Sequence, residues 1–251
     1  MIKRSLVILI LVVFPLLLVS AEEPRNDRPK VGLVLSGGGA KGLAHIGVIK
    51  VLEEVGIRPD YITGTSMGSI IGGLYSIGYT ATELDSIVST ADWAHLLSDR
   101  VPLSDVIPEE KTDYQRFQVE LDITEDGFAV PMGLIGGHAI SELFARLSAR
   151  VSGTYYFKDY PIPFKCVAAD LLSGEQVIFD RGSFSTALRS SMSIPSVFSP
   201  VELDTLYLVD GGVLNNFPVD LCREMGADII IGVNVGNADR VNKADLNSLI
   251  G

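Results

Sequence analysis

The segment at residues 61–75 constrains this chain more than any other part of its sequence, because strand-forming residues run there into Gly-Thr-Ser-Met-Gly and then into an apolar helix. A serine at a strand-to-helix turn, with Gly64 and Gly68 two places to either side, is the pattern of a nucleophile elbow. The serine backbone in such a turn is strained, and side chains at the two glycines would collide with the neighbouring strand and helix. We therefore predict that Ser66 is a nucleophile held in front of a sheet. A glycine-rich turn with an idle serine is the alternative.

A glycine loop lies upstream of this turn, directly after the apolar residues 30–36, which have the pattern of a parallel strand buried on both faces. The loop reads GGGAKG at positions 37–42, and a helix is expected from about residue 40 to residue 55. Strand, glycine loop, helix, strand, serine turn and helix together form a βαβα unit. This order predicts a parallel sheet with a right-handed crossover.

The glycine loop fits three functions unequally well. Gly37, Gly39 and Gly42 match a dinucleotide-binding pattern, but the acidic residue that would hold the ribose is missing from the end of the second strand. A phosphate-binding P-loop is disfavoured because no serine or threonine follows Lys41. The backbone amides of Gly37, Gly38 and Gly39, at the start of a helix and beside the serine turn, fit best as an oxyanion hole.

A serine nucleophile needs a proton acceptor, and the chain has three histidines, His45, His95 and His138. None follows a strand end late in the chain, where an α/β-hydrolase has its histidine, so a structural or surface role is favoured for each. Asp210 instead comes directly after the buried strand expected at 206–209, and the two glycines behind it let a substrate approach closely. Asp210 is therefore a candidate base, with a plain Asp-Gly-Gly turn as the alternative.

Strands and helices alternate along much of the remaining chain. Their patterns predict helices at 137–151, 182–191 and 218–225, and strands at 164–170, 176–179, 206–209 and 228–235. This order predicts a three-layer α/β/α domain with a mainly parallel central sheet, whose sites gather at the carboxyl ends of the strands. The glycine loop, the serine turn and Asp210 all fall at such ends.

Residues 80–137 are less regular, and we predict that they form a cover over the site. Short helices are expected at 82–88 and 93–97, and alternation around a Thr-Glu-Asp-Gly turn at 124–127 predicts a β-hairpin. Asp122, Glu125 and Asp126 match no calcium-loop spacing, and turns favour such residues, so no metal site is expected there.

The N-terminal residues 1–21 have the basic start, apolar run and small-residue ending of a secretory signal peptide, with an uncleaved anchor as the alternative. A polar linker at 22–29 and a single domain at 30–251 follow. We therefore expect export, to the periplasm, to the outer membrane or cell surface, or as a secreted protein.

A formal net charge of −11 disfavours nucleic acid as a partner. Cys166 and Cys222 lie in apolar runs and are expected to pack as small hydrophobic residues.

Three motifs, GGGAKG at 37–42, GTSMG at 64–68 and DGG at 210–212, together resemble those of the patatin-like phospholipases, and the similarity extends through 44–48 and 189–200. The resemblance implies a patatin-like α/β/α domain and a Ser-Asp dyad without histidine. Ser66 would be the nucleophile and Asp210 the base, and the Gly37, Gly38 and Gly39 amides would form the oxyanion hole. The motif residues that would support them are Lys41, Gly42, Gly64, Gly68, Gly211 and Gly212.

The same resemblance implies a lipid acyl hydrolase without metal or cofactor, acting on acyl esters of phospholipids or related lipids at a membrane surface. A Ser-His-Asp carboxylesterase and a non-catalytic domain that binds lipid or a partner protein are the alternatives. A homodimer is left open. The residues at 247–251 have the pattern of a helix opening, so we expect a longer parent protein, which in similar bacterial proteins often continues into an outer-membrane β-barrel.

Overall fold

The computed structural model describes residues 28–98, 107–108, 122–124, 127–129 and 133–236. The signal peptide predicted at 1–21 and most of the linker predicted at 22–29 lie outside these described residues, and they stay predictions. Within the described ranges, no helix combines the length and the apolar character that crossing a membrane requires.

The described elements follow the predicted alternation of strands and helices. The strands are β1 Val31–Leu35, β2 Tyr61–Thr65, β3 Asp122–Thr124, β4 Gly127–Ala129, β5 Gly133–Ile135, β6 Phe164–Asp170, β7 Gln176–Phe179, β8 Ser196–Phe198, β9 Val201–Leu203, β10 Leu206–Asp210 and β11 Ile229–Val233. The helices are α1 Ala44–Glu54, α2 Met67–Ser76, α3 Ala81–Thr90, α4 Trp93–Leu96, α5 His138–Leu147, α6 Phe184–Ser191 and α7 Val219–Glu224. Short 3₁₀ turns lie at Gly39–Leu43, Ser148–Val151, Phe157–Asp159 and Gly211–Val213.

A central sheet organises the molecule. Its middle, in the order β11, β1, β2 and β6, is parallel, and the antiparallel strands β7, β10 and β9 extend it. Helix α7 packs on β1, β2 and β11, and Gly32 of β1 lies against Cys222 of that helix. Helix α2 packs on the opposite face, where its Gly72 lies against Ile62 and Leu35. The predicted three-layer α/β/α domain with a mainly parallel centre is confirmed.

The main hydrophobic core fills the space between the sheet and helices α1, α2, α3, α5 and α6. Strand β1 is buried from its second residue onward, as its continuous apolar sequence predicts. Its Leu33 is fully buried, so truncation to alanine is expected to cost ~2–5 kcal/mol of folding free energy. Phe157, Phe164 and Phe184 stack or meet edge to face in the same core. This packing makes the sheet a rigid platform for the loops at its edge.

Strand β6 brings two distant parts of the chain together. Strand β7 occupies one edge of β6 along residues 166–169, so β2 and β10 must share the other edge. Strand β2 pairs with the first half, ending at Thr65 opposite Val167, and β10 runs the other way and ends at Asp210 opposite Ala168. The two strands therefore abut with their carboxyl ends facing each other, and the residue after Thr65 is Ser66.

The region at 80–137 is described in part. The expected helices appear as α3, which begins with a Thr80–Glu83 capping box, and as α4. The predicted hairpin appears as β3 paired antiparallel with β4. A parallel pair of three-residue strands, β5 and β8, was not predicted, since the sequence suggested only a rigid apolar loop at 194–200. The two strands are far apart in the sequence, so a local sequence pattern does not predict that they pair.

Candidate active site

Ser66 lies at the turn between β2 and α2 with its backbone in the left-handed region, at φ 53° and ψ −124°. Such a conformation costs about 1–3 kcal/mol in a residue other than glycine, so the surroundings must hold it in place. Space is available only because two neighbours are glycines. A side chain at Gly64 would lie 2.5 Å from the Gly68 carbonyl oxygen, and one at Gly68 would overlap the Leu35 carbonyl. The strained turn that the sequence predicted is present.

The backbone of Ser66 is also fixed by a serine from another helix. The Ser66 N–H donates to Ser191 Oγ at 3.0 Å, and the Ser191 hydroxyl donates to the Val167 carbonyl at 2.6 Å. Ser191 thus ties the strained turn to strand β6. No role for Ser191 was inferred from the sequence. Its only indication there was that it lies in the segment 189–200, to which the family resemblance extends.

Asp210 faces Ser66 from the end of β10, and each residue is only 6% exposed. The Ser66 hydroxyl lies close enough to the Asp210 carboxylate to lower the pKa of that carboxyl by hydrogen bonding, and the Gly212 N–H donates to Asp210 Oδ1 at 2.7 Å. The Asp210 N–H donates to the Ser193 carbonyl at 2.8 Å. Burial raises the pKa of the Asp210 carboxyl above its ordinary value, and the contacts with Ser66 and Gly212 lower it by less. The carboxylate is thereby a stronger proton acceptor than a solvated aspartate.

The glycine loop is held from several sides. The Gly37 N–H donates to the Asn216 carbonyl at 3.1 Å, and Asn216 Nδ2 donates back to the Gly37 carbonyl at 3.3 Å. The Val235 N–H donates to Ser36 Oγ at 2.9 Å. His45 Nε2 contacts the Ser36 carbonyl at 2.8 Å, and as the donor it ties α1 to the loop. The loop is therefore preorganised beside Ser66.

The N–H of Gly37 is thus engaged, which leaves other amides to face a substrate. None of the hydrogen bonds between described residues uses the N–H of Gly38 or Gly39. Gly38 and Gly39 line an open cavity together with Ser66 and Asp210. Of the three predicted oxyanion donors, Gly38 and Gly39 are therefore the two whose N–H groups have no acceptor among the described residues.

The remaining motif residues shape the same turns. Gly42 lies against Met67, where any side chain would clash, so the loop can pack closely on α2. Gly211 lies directly against the Val167 carbonyl, and Gly212 supplies the N–H that binds Asp210. Lys41 is exposed.

The three histidines stand apart from Ser66. His45 is fully buried under the glycine loop, and burial lowers its pKa while the contact with Ser36 raises it by less. His95 and His138 are exposed, in α4 and at the start of α5. No histidine is among the described residues that line the two cavities meeting at Ser66.

An apolar cavity of about 520 Å³ opens on one side of Ser66. Its walls come from α2, α3, α5 and the segment at 192–198, and nearly all the lining side chains are aliphatic or aromatic. The described lining residues are Gly39, Ala40, Leu43, Ser66, Met67, Ile70, Ile71, Leu74, Leu84, Ile87, Val88, Ala91, Trp93, Leu97, Ile135, Ile140, Leu143, Phe144, Leu147, Met192, Ile194, Val197 and Phe198. A cavity of this size and character suits a single hydrocarbon chain.

A second, more polar cavity of about 360 Å³ lies on the other side of Ser66. Asp210, Asn216 and the glycine loop line it, with Ile194 and Val213 as apolar neighbours. Ser66, Gly39 and Ile194 line both cavities. A molecule with an apolar tail and a polar head could therefore span the nucleophile with one part in each cavity.

The segment between the two cavities is anchored by Arg189, a buried residue of α6. Its guanidinium donates to the Ser193 hydroxyl, to the Gly136 carbonyl at 2.8 Å and to the Ser199 carbonyl at 3.2 Å. Since the Ser193 carbonyl also accepts from the Asp210 N–H, Arg189 supports the position of Asp210 as well as the cavity wall.

Two other predictions concern metals and cysteines. Among the residues that the structure describes, no group of three or more His, Cys, Asp or Glu is placed to hold a metal ion. Of the acids at the predicted hairpin, Glu125 and Asp126 lie outside the described residues. Cys166 and Cys222 are buried free thiols in separate layers, as predicted for small packing residues.

Comparison with known proteins gives one family model and several relatives. The model described as patatin-like phospholipase matches residues 33–223, which is more than half of the chain. An uncharacterized NTE family protein of Mycobacterium tuberculosis is 35% identical over 215 residues, which are 85% of this chain and 51% of that protein. The chain thus spans about half the length of these mycobacterial relatives.

A more distant relative and one solved structure point the same way. Lysophospholipase NTE1 of Candida albicans is 34% identical over 209 residues, which are 83% of this chain and 13% of that protein. The crystal structure of VipD from Legionella pneumophila has a TM-score of 0.52 at 17% identity, covering 88% of this chain and 53% of VipD. At that identity the likeness to VipD supports the fold alone.

Proposed function

This chain belongs to the patatin-like phospholipase family, and on that premise we propose that it is a serine lipid acyl hydrolase of the phospholipase A type, acting on phospholipids or related lipids. The observation that carries the proposal is the position of Ser66 between an apolar cavity and a polar one, within hydrogen-bonding reach of Asp210. The fatty acyl chain would occupy the apolar cavity, and the alcohol part of the ester would lie in the polar cavity.

Asp210 would act as the general base. An aspartate in water has a pKa of ~3.9 and accepts a serine proton poorly. Burial raises the pKa of Asp210, and the Ser66 hydroxyl lies near enough to the carboxylate to influence that pKa. As Ser66 Oγ attacks the ester carbonyl, its proton passes to Asp210, and a tetrahedral intermediate forms.

The glycine loop would stabilise the negative oxygen of that intermediate. The N–H groups of Gly38 and Gly39 are free to donate to it, and the amino end of α2 adds its positive dipole. Losing one such donor typically costs about 10²–10³-fold in kcat. Because Asn216 and His45 already hold the loop, little reorganisation is needed during the reaction.

Collapse of the intermediate would break the bond to the alcohol oxygen, which leaves with the proton from Asp210. The acyl group then remains on Ser66 as an ester. A water molecule attacks this ester as Asp210 takes one of its protons, and the proton returns to Ser66 Oγ when the fatty acid leaves. Apart from the lipid and the attacking water, these steps use only Ser66, Asp210 and the backbone amides of the glycine loop.

The decisive experiment measures fatty acid release from phosphatidylcholine vesicles and from short-chain esters, by the wild-type domain and by Ser66→Ala. We expect release by the wild type and a loss of at least about 10⁴-fold in the variant. Equal release by both proteins would refute the role of Ser66. A wild-type protein that is inactive on every lipid and ester would favour the non-catalytic binding domain.

The Ser-His-Asp alternative is tested by His95→Ala, His138→Ala and His45→Gln. The first two histidines are exposed, and a glutamine at the third position has an amide N–H near the place of Nε2, which contacts the Ser36 carbonyl. We expect each variant to keep wild-type kcat within a few-fold. A loss of about 10⁴-fold in one folded variant would establish a histidine base instead.

A further inference from the structure

The apolar cavity runs along one helix, and that helix begins at the nucleophile. Met67, Ile70, Ile71 and Leu74 of α2 all line the cavity, and so does Ser66 directly before them. Leu74 is 3% exposed, and Leu84 of α3, which lines the same cavity, is 1% exposed. The cavity therefore extends inward from Ser66 at least as far as the third turn of α2.

Helical geometry converts these positions into distances. At about 1.5 Å of rise per residue, Ile70 lies about 6 Å and Leu74 about 12 Å along the helix axis from Ser66. An extended acyl chain advances about 1.25 Å per carbon, given C–C bonds of ~1.5 Å and tetrahedral angles. Ile70 then lies beside about the fifth carbon of a bound chain, and Leu74 beside about the tenth.

Building on the proposed function, we propose that α2 measures acyl chain length, with Ile70 and Leu74 as specificity-determining residues one turn apart. Both side chains face the cavity because residues at i and i+4 share one side of a helix. The substrate class that this favours is an ester of one acyl chain of about ten carbons or more, since shorter chains leave part of the apolar wall without contact. Each methylene that gains contact is expected to raise kcat/KM by about fourfold.

The test is a graded pair of blocking substitutions, assayed on a series of esters from two to sixteen acyl carbons. Ile70→Trp should lower the rate on octanoyl and longer esters at least tenfold relative to its own rate on acetyl and butyryl esters. Leu74→Trp should lower the rate from the lauroyl ester onward at least tenfold relative to its own rate on esters up to hexanoyl. Short-chain activity in the same preparation shows that each variant is folded.

Two further variants serve as controls. Val51→Trp makes the same kind of substitution on an exposed position of α1 and should leave the whole chain-length profile unchanged. Leu74→Ala enlarges the cavity and should move the preferred length upward. Identical profiles in Ile70→Trp and Leu74→Trp, or cut-offs in the reverse order, would overturn the proposal.

A binding measurement separates this inference from the hydrolase proposal. In the Ser66→Ala background, calorimetry with free fatty acids of four to sixteen carbons should show affinity that rises with chain length. In Ile70→Trp the affinity should stop rising at a shorter fatty acid than in Leu74→Trp. If the wild type hydrolyses no ester but binding shows these two limits, the chain-length inference stands and the catalytic proposal falls. Binding that ignores both substitutions overturns the chain-length inference whatever the hydrolysis result.

Discussion

The turns that carry Ser66 and Asp210 meet on the same edge of β6, yet they are built in different ways. The Ser66 turn is strained, at φ 53°, and its shape depends on glycines two residues away in sequence. The Asp210 backbone has φ −52°, which any residue adopts without strain. Asp210 is positioned instead by pairing with Ala168 and by its bond to the Ser193 carbonyl.

Ser66 and Asp210 are therefore held in position at different energetic costs. Ser66 is held in a locally strained backbone, and its hydroxyl is an ordinary neutral group. Asp210 has a relaxed backbone, but its position requires the burial of a charge. Substitutions in the two turns should therefore affect activity and stability in different combinations, and the following variants test that difference.

The largest effect is expected from Asp210→Asn. Removing the base should lower kcat by about 10⁴-fold, as when a catalytic carboxylate is replaced by its amide. Stability at neutral pH should rise, because the folded protein no longer buries a carboxylate. An aspartate with a raised pKa favours the folded state most below its unfolded pKa, and this contribution is lost as pH rises through the folded pKa. Activity assays and thermal unfolding at pH 7 measure both effects.

Asp170→Asn is the matched control, since Asp170 is also a buried carboxylate, on the neighbouring strand β6. Hydrogen bonds from Ser173 and Tyr207 lower its pKa to about 2, the opposite direction to Asp210. Its stabilising contribution is present above the unfolded pKa and disappears as pH falls toward 2. Asp170→Asn should therefore lower the melting temperature at pH 7, and a rise in both variants would contradict the contrast.

The next largest effect is expected from Gly68→Ala. The new methyl group overlaps the Leu35 carbonyl, so the Ser66 turn must shift. A displacement of about 1 Å at the nucleophile can cost about 10²-fold in kcat, and the fold should be destabilised as well. Gly47→Ala is the control, because a methyl group at this exposed helical position meets nothing within 4 Å. That control should gain up to about 1 kcal/mol of stability and keep full activity.

The contrast between the two turns also explains which parts of the site could be predicted from the sequence alone. The pattern at 64–68 predicted the Ser66 turn correctly, because the residues that shape it are consecutive. Asp210 could be selected as a candidate from its place after a buried strand. The antiparallel approach of β10 could not be predicted, since it depends on β7 having taken the other edge of β6. Ser191 and Asn216 were also missed, because a hydroxyl or amide that binds distant backbone leaves no local pattern.

A smaller effect is expected from Ser191→Ala, which removes the acceptor of the Ser66 N–H. An unsatisfied buried donor costs about 1–3 kcal/mol, and a looser turn should lower kcat by about tenfold. KM should stay near its wild-type value, since Ser191 does not line either cavity. Ser191→Thr, which retains the hydroxyl, should recover most of kcat.

Ser190→Ala is the neighbouring control for this experiment. Ser190 is also buried, but its hydroxyl donates to the Thr186 carbonyl within its own helix. Loss of this bond should leave kcat unchanged. Equal losses of kcat in Ser190→Ala and Ser191→Ala would mean that helix α6 acts through stability alone and that Ser191 has no positioning role.

The smallest effect expected concerns the pH dependence of kcat/KM, whose decline at acidic pH should be displaced. The Asp210 carboxylate must be deprotonated to accept the Ser66 proton, so kcat/KM should fall about tenfold per unit once pH drops below its pKa. Burial moves that pKa above the ordinary aspartate value, so the decline should begin at a higher pH than for a solvated carboxylate. The fluorescence of Trp93, the chain's single tryptophan, monitors folding over the same range. A decline centred near 6.5 that is shifted by His95→Ala or His138→Ala would instead assign the base to histidine, because a buried carboxylate would not respond to the loss of an exposed imidazole.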